Sequence, residues 1–167
     1  MLKSPIENLH KELGAFTTTD ENWDGWTIPV HYGDIEAEYH AARTSSVRTD
    51  RSHRTCLRLV GDDSKKFLQN ILTNNMSTLK PGDGTYAALL TATGKIIADF
   101  RVTLLSDSIL LDTEAICREA AFLELDKFNL GYDCEIEDIS DSLGIVTLVG
   151  PESSVLYHRL SSVLEVL

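Results

Sequence analysis

Cysteine is scarce in this sequence of 167 residues. Only Cys56, Cys117 and Cys134 are present, and they lie far apart along the chain. An odd and dispersed set of cysteines supplies neither a disulfide framework nor the CxxC spacing that is typical of metal and redox sites. We therefore predict three free thiols in a reducing compartment, and we interpret Cys56 and Cys117 as packing residues rather than nucleophiles.

Long apolar runs and basic residues are also scarce. No stretch approaches the roughly 20 apolar residues that span a bilayer, and the opening MLKSPIENLH lacks the apolar core of a signal peptide. The 15 Lys and Arg residues are outnumbered by 26 Asp and Glu residues, which gives a net charge of -11. This charge disfavours nucleic acids and anionic membranes as partners. We predict a cytoplasmic protein.

Several common catalytic motifs are missing. The sequence contains no GxGxxG, no Walker phosphate loop, no HExxH and no GxSxG, so four frequent enzyme classes receive no support. The five histidines, at positions 10, 31, 40, 53 and 158, do not have the spacing of metal ligands, and we predict no metal site. His53 is interpreted as a residue at the start of a strand.

The composition that is present suits one globular domain, with 43% apolar and 25% charged residues. The spacing of Ile6, Leu9 and Leu13 predicts a helix that ends at Gly14. Residues 15–32, which include Trp23, Trp26 and Pro29, predict a loop pinned by aromatic side chains. Asp34 is expected to cap a helix with Ile35, Tyr39 and Ala42 on one face.

Strands and helices alternate irregularly in the rest of the chain. Asp62 is expected to cap the helix that follows a strand at 56–60. Ile116, Ala120 and Leu123 are expected on one side of the helix at 114–127. The predicted elements are a strand at 56–60, a helix with its apolar stripe at 67–72, a hairpin at 86–102, strands at 109–112, 134–139 and 145–149, the last of them buried, and helices at 114–127 and after Pro151. This order indicates an α+β fold with mixed, largely antiparallel sheets flanked by helices.

The hairpin, YAALLTATGKIIADFRV at 86–102, contains a single carboxylate, Asp99. Thr93-Gly94 is a tight-turn signal between two strand-forming runs. Because side chains alternate along a strand, Asp99 and Arg101 are expected on one face, with the core on the other. If the polar face lines a cavity, Asp99 is a carboxylate able to pair with a cationic nitrogen or to handle a proton. If that face is exposed, Asp99 and Arg101 form a weak surface ion pair.

Tyr86 lies on the strand that pairs with the strand of Asp99. A phenol and a carboxylate on adjoining strands are able to hold a flat heterocycle between an aromatic surface and a hydrogen-bond acceptor. Spacing alone leaves open whether Tyr86 and Asp99 share a face.

Seven blocks of the sequence, in their order, resemble the N-terminal part of the glycine-cleavage T-protein (aminomethyltransferase) superfamily, which includes the folate-binding relatives called YgfZ. The blocks are LHKELGA at 9–15, the Trp26/Pro29/Tyr32 region, AAR at 41–43, Ser52-His53, LVGDDSKKFLQNILTN at 59–74, LKPGDGTYAALLTATGKIIADFRV at 79–102 and TLVGPESSVL at 147–156.

The resemblance implies an α+β folate-binding domain around a tetrahydrofolate pocket. By this resemblance Asp99 matches the catalytic aspartate of the family, and Tyr86 matches a tyrosine that contacts the folate. Transfer of a one-carbon unit to a pterin passes through a cationic iminium, which a carboxylate in a low-dielectric pocket stabilises. Arg101 replaces an apolar residue of T-proteins and is expected to compete for the oxygens of Asp99. Thr113 lies near the position of a folate-contacting asparagine of the family. By the resemblance, Arg101 and Thr113 are therefore also expected to bind folate.

Three functions remain open at this point. Lys95, Arg101 and the run at 125–138 resemble the YgfZ relatives, and the first hypothesis is a YgfZ-like tetrahydrofolate-binding protein linked to the maintenance of iron-sulfur proteins. The alternative is a true aminomethyltransferase that acts with a lipoyl carrier protein. The third is a non-catalytic folate-binding module that dimerises. The expected domain is residues 1–167, incomplete without residues that follow in the family.

Overall fold

The computed structural model describes residues 2–19 and 25–164, which form two compact units. The first unit comprises the described parts of Met1–Glu21, Gly25–Ser52 and Gly144–Leu167, and the second comprises His53–Leu143. The sequence has no proline-rich or serine-rich linker where the chain passes from one unit to the other, at residues 52–53 and 143–144. The α+β class and the mostly antiparallel sheets agree with the prediction.

The first unit contains two small sheets and three helices. Its elements are β1 (Leu2–Lys3), α1 (Glu7–Glu12), β2 (Phe16–Thr19), β3 (Trp26–His31), α2 (Ile35–Thr44), β4 (Val47–Asp50), β10 (Val146–Val149) and α5 (Ser153–Leu164). One sheet has the order β1-β3-β2, in which β1 and β3 are parallel, and the other pairs β10 antiparallel with β4. Asp34 caps α2, accepting a hydrogen bond from the Ala37 amide at 3.0 Å as predicted.

The second unit is a five-stranded antiparallel sheet with two helices. Its elements are β5 (Thr55–Val60), α3 (Ser64–Ile71), β6 (Gly84–Leu90), β7 (Ile96–Leu104), β8 (Ile109–Thr113), α4 (Arg118–Phe128) and β9 (Glu135–Asp138). The strand order is β6-β7-β8-β5-β9. One face of the sheet forms the core with the helices, where Leu57, Phe67, Phe100, Leu111 and Leu125 are fully buried. The opposite face is therefore the one that carries polar side chains.

Two predictions for the first unit are wrong, and one strand was missed. Residues 15–32 contain strands β2 and β3 rather than a loop, because Phe16–Thr19 is rich in β-branched residues and Pro29 lies within a short sheet. Strand β4 was not predicted, and 145–149 is not a buried strand, since β10 pairs only with β4 and its two ends are exposed. Trp26 is buried, and Trp23 lies outside the described residues.

Two predictions for the second unit also need correction. Helix α3 begins after Asp63 rather than Asp62, and neither aspartate side chain caps it. Before α4, a 3-10 turn at Ala115–Cys117 has fewer residues per turn than an α-helix, and it changes the phase of the buried face. The buried side chains are accordingly Ala121 and Leu125, whereas Ile116, Ala120 and Leu123 are exposed.

Candidate functional site

The hairpin of β6 and β7 has the two-faced pattern that its sequence predicts. Ala98, Phe100 and Val102 are buried in the core, whereas Asp99 is half-buried and Arg101 is exposed on the other face. The register places Tyr86 opposite Arg101, and Arg101 in turn lies opposite Asp112 of β8. Three strands thus bring charged and aromatic side chains to one face of the sheet.

Tyr86 and Asp99 share this face and contact each other directly. The hydroxyl of Tyr86 donates a hydrogen bond to Oδ2 of Asp99, across the diagonal of the β6–β7 pair. Tyr86 is 60% exposed, so its ring remains accessible while its hydroxyl is engaged. The question that the spacing left open is settled, because a phenol and a carboxylate lie side by side on one surface.

A charge network occupies the adjacent part of the same face. The guanidinium of Arg54 is almost completely buried, and its Nε donates to Oδ1 of Asp112 at 2.5 Å while Nη1 donates to Glu114. Burial opposes the charge of Arg54, but the two carboxylates outweigh it and raise the pKa of this guanidinium. Arg54 therefore stays charged and holds Asp112 and Glu114 in place.

The partner of Arg101 differs from the one expected. Its Nη1 donates to Oδ2 of Asp112 at 3.3 Å, and the predicted competition for the oxygens of Asp99 is wrong. Residues directly opposite each other in an antiparallel pair are about 5 Å apart, whereas residues two apart on one strand are about 7 Å apart. Asp112 is therefore the nearer carboxylate, and Asp99 keeps a neutral hydrogen-bond donor as its contact.

Thr113 is not brought together with Tyr86, Asp99 and Arg101. It alternates with Asp112 along β8, is 0% exposed and belongs to the core face of the sheet, where it neighbours the Cys117 thiol. Arg54 and Asp112 were missed by the sequence analysis. The alternation of Asp112 and Glu114 with buried residues after Ile109 was the signal that could have placed them on the polar face.

The buried thiol of Cys56 is expected to react slowly. Burial, with smaller contributions from Asp112 and Asp138, raises the pKa of Cys56 from 9.0 to about 11, and the residue is 2% exposed. This shift lowers the thiolate fraction at about pH 8 roughly 100-fold. We expect iodoacetamide to alkylate Cys56 at least 100-fold more slowly in the native protein than in urea, as followed by peptide mass spectrometry. Equal rates in the two conditions would contradict the packing role.

Two cavities lie away from this face. One, of about 340 Å³, is next to Ile116, Arg118 and Phe122 of the second unit, and another, of about 500 Å³, is in the first unit. Within residues 2–19 and 25–164 there is no group of three or more His, Cys, Asp or Glu side chains arranged to hold a metal ion. The same described residues include no helix of the length and apolarity that a membrane crossing requires.

Comparison with known proteins gives consistent matches along the chain. Aminomethyltransferase from Bacillus subtilis is 28% identical over 165 residues, which cover 96% of this chain and 44% of that protein. Aminomethyltransferase from Halothermothrix orenii is 33% identical over 164 residues, covering 98% of this chain and 45% of that protein. The chain thus spans less than half the length of these relatives.

A solved structure supports the fold. The crystal structure of glycine cleavage system aminomethyltransferase T from Bartonella henselae matches with a TM-score of 0.79 at 24% sequence identity, over 94% of this chain and 43% of that chain. Residues 6–166 match the family described as the GCVT N-terminal domain. With nearly its whole length matched, the chain belongs to the GCVT N-terminal domain family.

Proposed function

We propose that this chain carries the carboxylate side of a tetrahydrofolate-dependent aminomethyl transfer site, with Asp99 as the catalytic residue and Tyr86 as a folate contact. The observation that carries the proposal is the Tyr86–Asp99 pair on the accessible face of the sheet. The names of the relatives favour aminomethyl transfer, which was the alternative in the sequence analysis. The YgfZ-like interpretation and its link to iron-sulfur proteins stay predictions from the sequence.

The pair suits a flat, nitrogen-rich heterocycle. An exposed tyrosine ring offers an aromatic surface, and a carboxylate beside it accepts hydrogen bonds from N–H groups. A ligand lying on the Tyr86 ring would cover Asp99 and exclude water from it, which strengthens the electrostatic interactions of the carboxylate. Tetrahydrofolate supplies the nitrogen that accepts the one-carbon unit.

Asp99 differs from the neighbouring carboxylate in its partner. Asp112 contacts the guanidinium groups of Arg54 and Arg101, so its charge is already balanced. Asp99 contacts the neutral hydroxyl of Tyr86, which orients the carboxylate without cancelling its charge. Asp99 is thus the group available to stabilise positive charge on the transferred carbon and to take up a proton.

The donor of the one-carbon unit is proposed to be an aminomethylated lipoyl carrier protein. In the transfer, the bond between the methylene and the lipoyl sulfur would break and leave a free thiol on the carrier. The methylene would bond to tetrahydrofolate, and its amino group would leave as ammonia. With a net charge of -11, this chain favours a basic surface on any protein partner.

Tetrahydrofolate binding tests the proposal. In a calorimetric titration we expect Tyr86→Ala to weaken binding about 10-fold, because a stacked ring is removed, and Tyr86→Phe to weaken it about 3-fold, because only the hydrogen bond to Asp99 is lost. Tyr39→Ala is the matched control, since Tyr39 is an exposed tyrosine on α2 of the first unit. Absence of binding by the unmodified protein, or equal affinity in all four proteins, would overturn the proposal.

A further inference from the structure

A second chain of polar side chains lies in the first unit, on elements that the proposed function does not use. Nε2 of His10, on α1, is 2.6 Å from Oδ2 of Asp50 at the end of β4, and Nδ1 of His10 is 2.6 Å from the hydroxyl oxygen of Tyr32. His10 is 5% exposed and the Asp50 side chain 4%, whereas Tyr32 is 38% exposed. The chain runs from a buried carboxylate to a phenol that reaches the surface.

The buried carboxylate of Asp50 favours one direction for the hydrogen bonds of this chain. Burial alone would raise the pKa of Asp50, but hydrogen bonds from Ser4, Ser52 and His10 outweigh it and lower the pKa. Asp50 is therefore an ionised acceptor, and Nε2 of His10 donates to it. In the tautomer that carries its proton on Nε2, Nδ1 of His10 is an acceptor, and the Tyr32 hydroxyl donates inward to it. The outward lone pairs of the Tyr32 oxygen remain able to accept, and the linked hydrogen bonds make that oxygen a stronger acceptor.

Tyr32 and His10 both line the cavity of about 500 Å³. This volume falls within the usual range for small-molecule sites, which are mainly apolar with a few polar groups that orient the ligand. The rest of its wall is largely apolar and includes Leu9, Leu13, Pro29, Val146 and Leu156. The cavity thus combines mainly apolar walls with a few polar groups, among them the partly exposed hydroxyl oxygen of Tyr32.

Arg48, Glu38 and Asp50 are the Arg, Asp and Glu side chains that line the cavity, and Asp50 is already held by hydrogen bonds with Ser52 and His10. Arg48 lines it, and the positive charge of Arg48 acts on Tyr32, which opposes a bound cation. Glu38 also lines it and accepts a hydrogen bond from the Tyr32 amide at 2.6 Å, which opposes a bound anion. A ligand that donates one hydrogen bond without carrying a charge meets neither penalty.

We propose that this cavity binds a compact apolar molecule that carries one neutral hydroxyl group, of the phenol class, with its O–H donating to the oxygen of Tyr32. The apolar walls cover the body of the ligand, and the Asp50–His10–Tyr32 chain fixes the acceptor. If the Asp50–His10–Tyr32 hydrogen bonds served only to hold α1 against β4, the cavity would show no preference between ligands with and without a hydroxyl group.

Paired ligands test the proposal on the unmodified protein. At about pH 8, p-cresol and toluene are titrated separately and followed by NMR chemical shifts. We expect p-cresol to bind about 5-fold more tightly than toluene, which corresponds to one net hydrogen bond, with shifts at the residues that line the cavity. Equal affinities, no binding of either ligand, or shifts confined to other residues would overturn the proposal.

A matched pair of variants assigns the preference to one hydroxyl. Tyr32→Phe should abolish or reverse the preference, because the hydroxyl of p-cresol then loses its acceptor, while Tyr39→Phe on the exposed face of α2 should retain it. An unchanged preference in Tyr32→Phe would overturn the assignment. If Tyr32→Phe does not fold, the comparison of the two ligands in the unmodified protein still decides the proposal.

Discussion

Replacing Asp99 with asparagine is expected to lower the rate of aminomethyl transfer to tetrahydrofolate about 100- to 1,000-fold. The amide oxygen of asparagine still accepts the hydrogen bond of the Tyr86 hydroxyl, so the local geometry is kept. The negative charge is removed, and preorganised groups that face developing charge typically account for an effect of this size. The measurement is the turnover number at saturating tetrahydrofolate, with an aminomethylated lipoyl carrier protein as donor.

Glu137→Gln is the control for this loss. Glu137 is also a carboxylate of the five-stranded sheet, but it lies on β9 and pairs with the exposed Arg58. Its turnover number should stay within about 2-fold of the unmodified protein, because an exposed ion pair contributes little. An Asp99→Asn protein that folds and retains more than a third of the activity would rule out a catalytic role for this carboxylate.

Local patterns predicted the part of the fold that carries the candidate site. Alternation in 98–102 and the turn at Thr93-Gly94 determine the hairpin and both of its faces, because each depends only on neighbours in the sequence. The capping of α2 by Asp34 is local in the same sense. By contrast, β4 pairs only with β10, which lies 95 or more residues away, and β4 had no strong signal of its own; the strand at 145–149 was predicted, but as a buried one.

The partners of charged residues were the harder problem. Arg101 was expected to pair with Asp99 because both lie on one strand, yet its nearest carboxylate, Asp112, comes from the neighbouring strand. Arg54 precedes β5 in a polar run, and nothing in that run shows that it is buried beneath two carboxylates. Strand order and register decide such contacts, and they are properties of the assembled sheet.

Replacing Asp112 with asparagine is expected to lower the free energy of unfolding by about 3 kcal/mol. Arg54 is 5% exposed and loses one of its two carboxylates, and removal of one partner leaves a buried charge that is poorly compensated. The same change releases Arg101, which then has Asp99 as a neighbouring carboxylate on its own strand face. Stability is measured by urea denaturation, and transfer activity is measured on the same samples under native conditions.

Glu137→Gln again supplies the comparison, since it also deprives an arginine of a carboxylate in this sheet. Both partners of the Arg58–Glu137 pair are more than a third exposed, so its loss should cost less than about 1 kcal/mol.

We further expect Asp112→Asn to reduce aminomethyl transfer about 10-fold, because Arg101 then neutralises part of the charge of Asp99. The double variant with Arg101→Leu should recover most of that activity without recovering stability. Equal stability losses in Asp112→Asn and Glu137→Gln would show that Asp112 does not stabilise the buried Arg54. Failure of Arg101→Leu to restore transfer would show that the network does not protect Asp99.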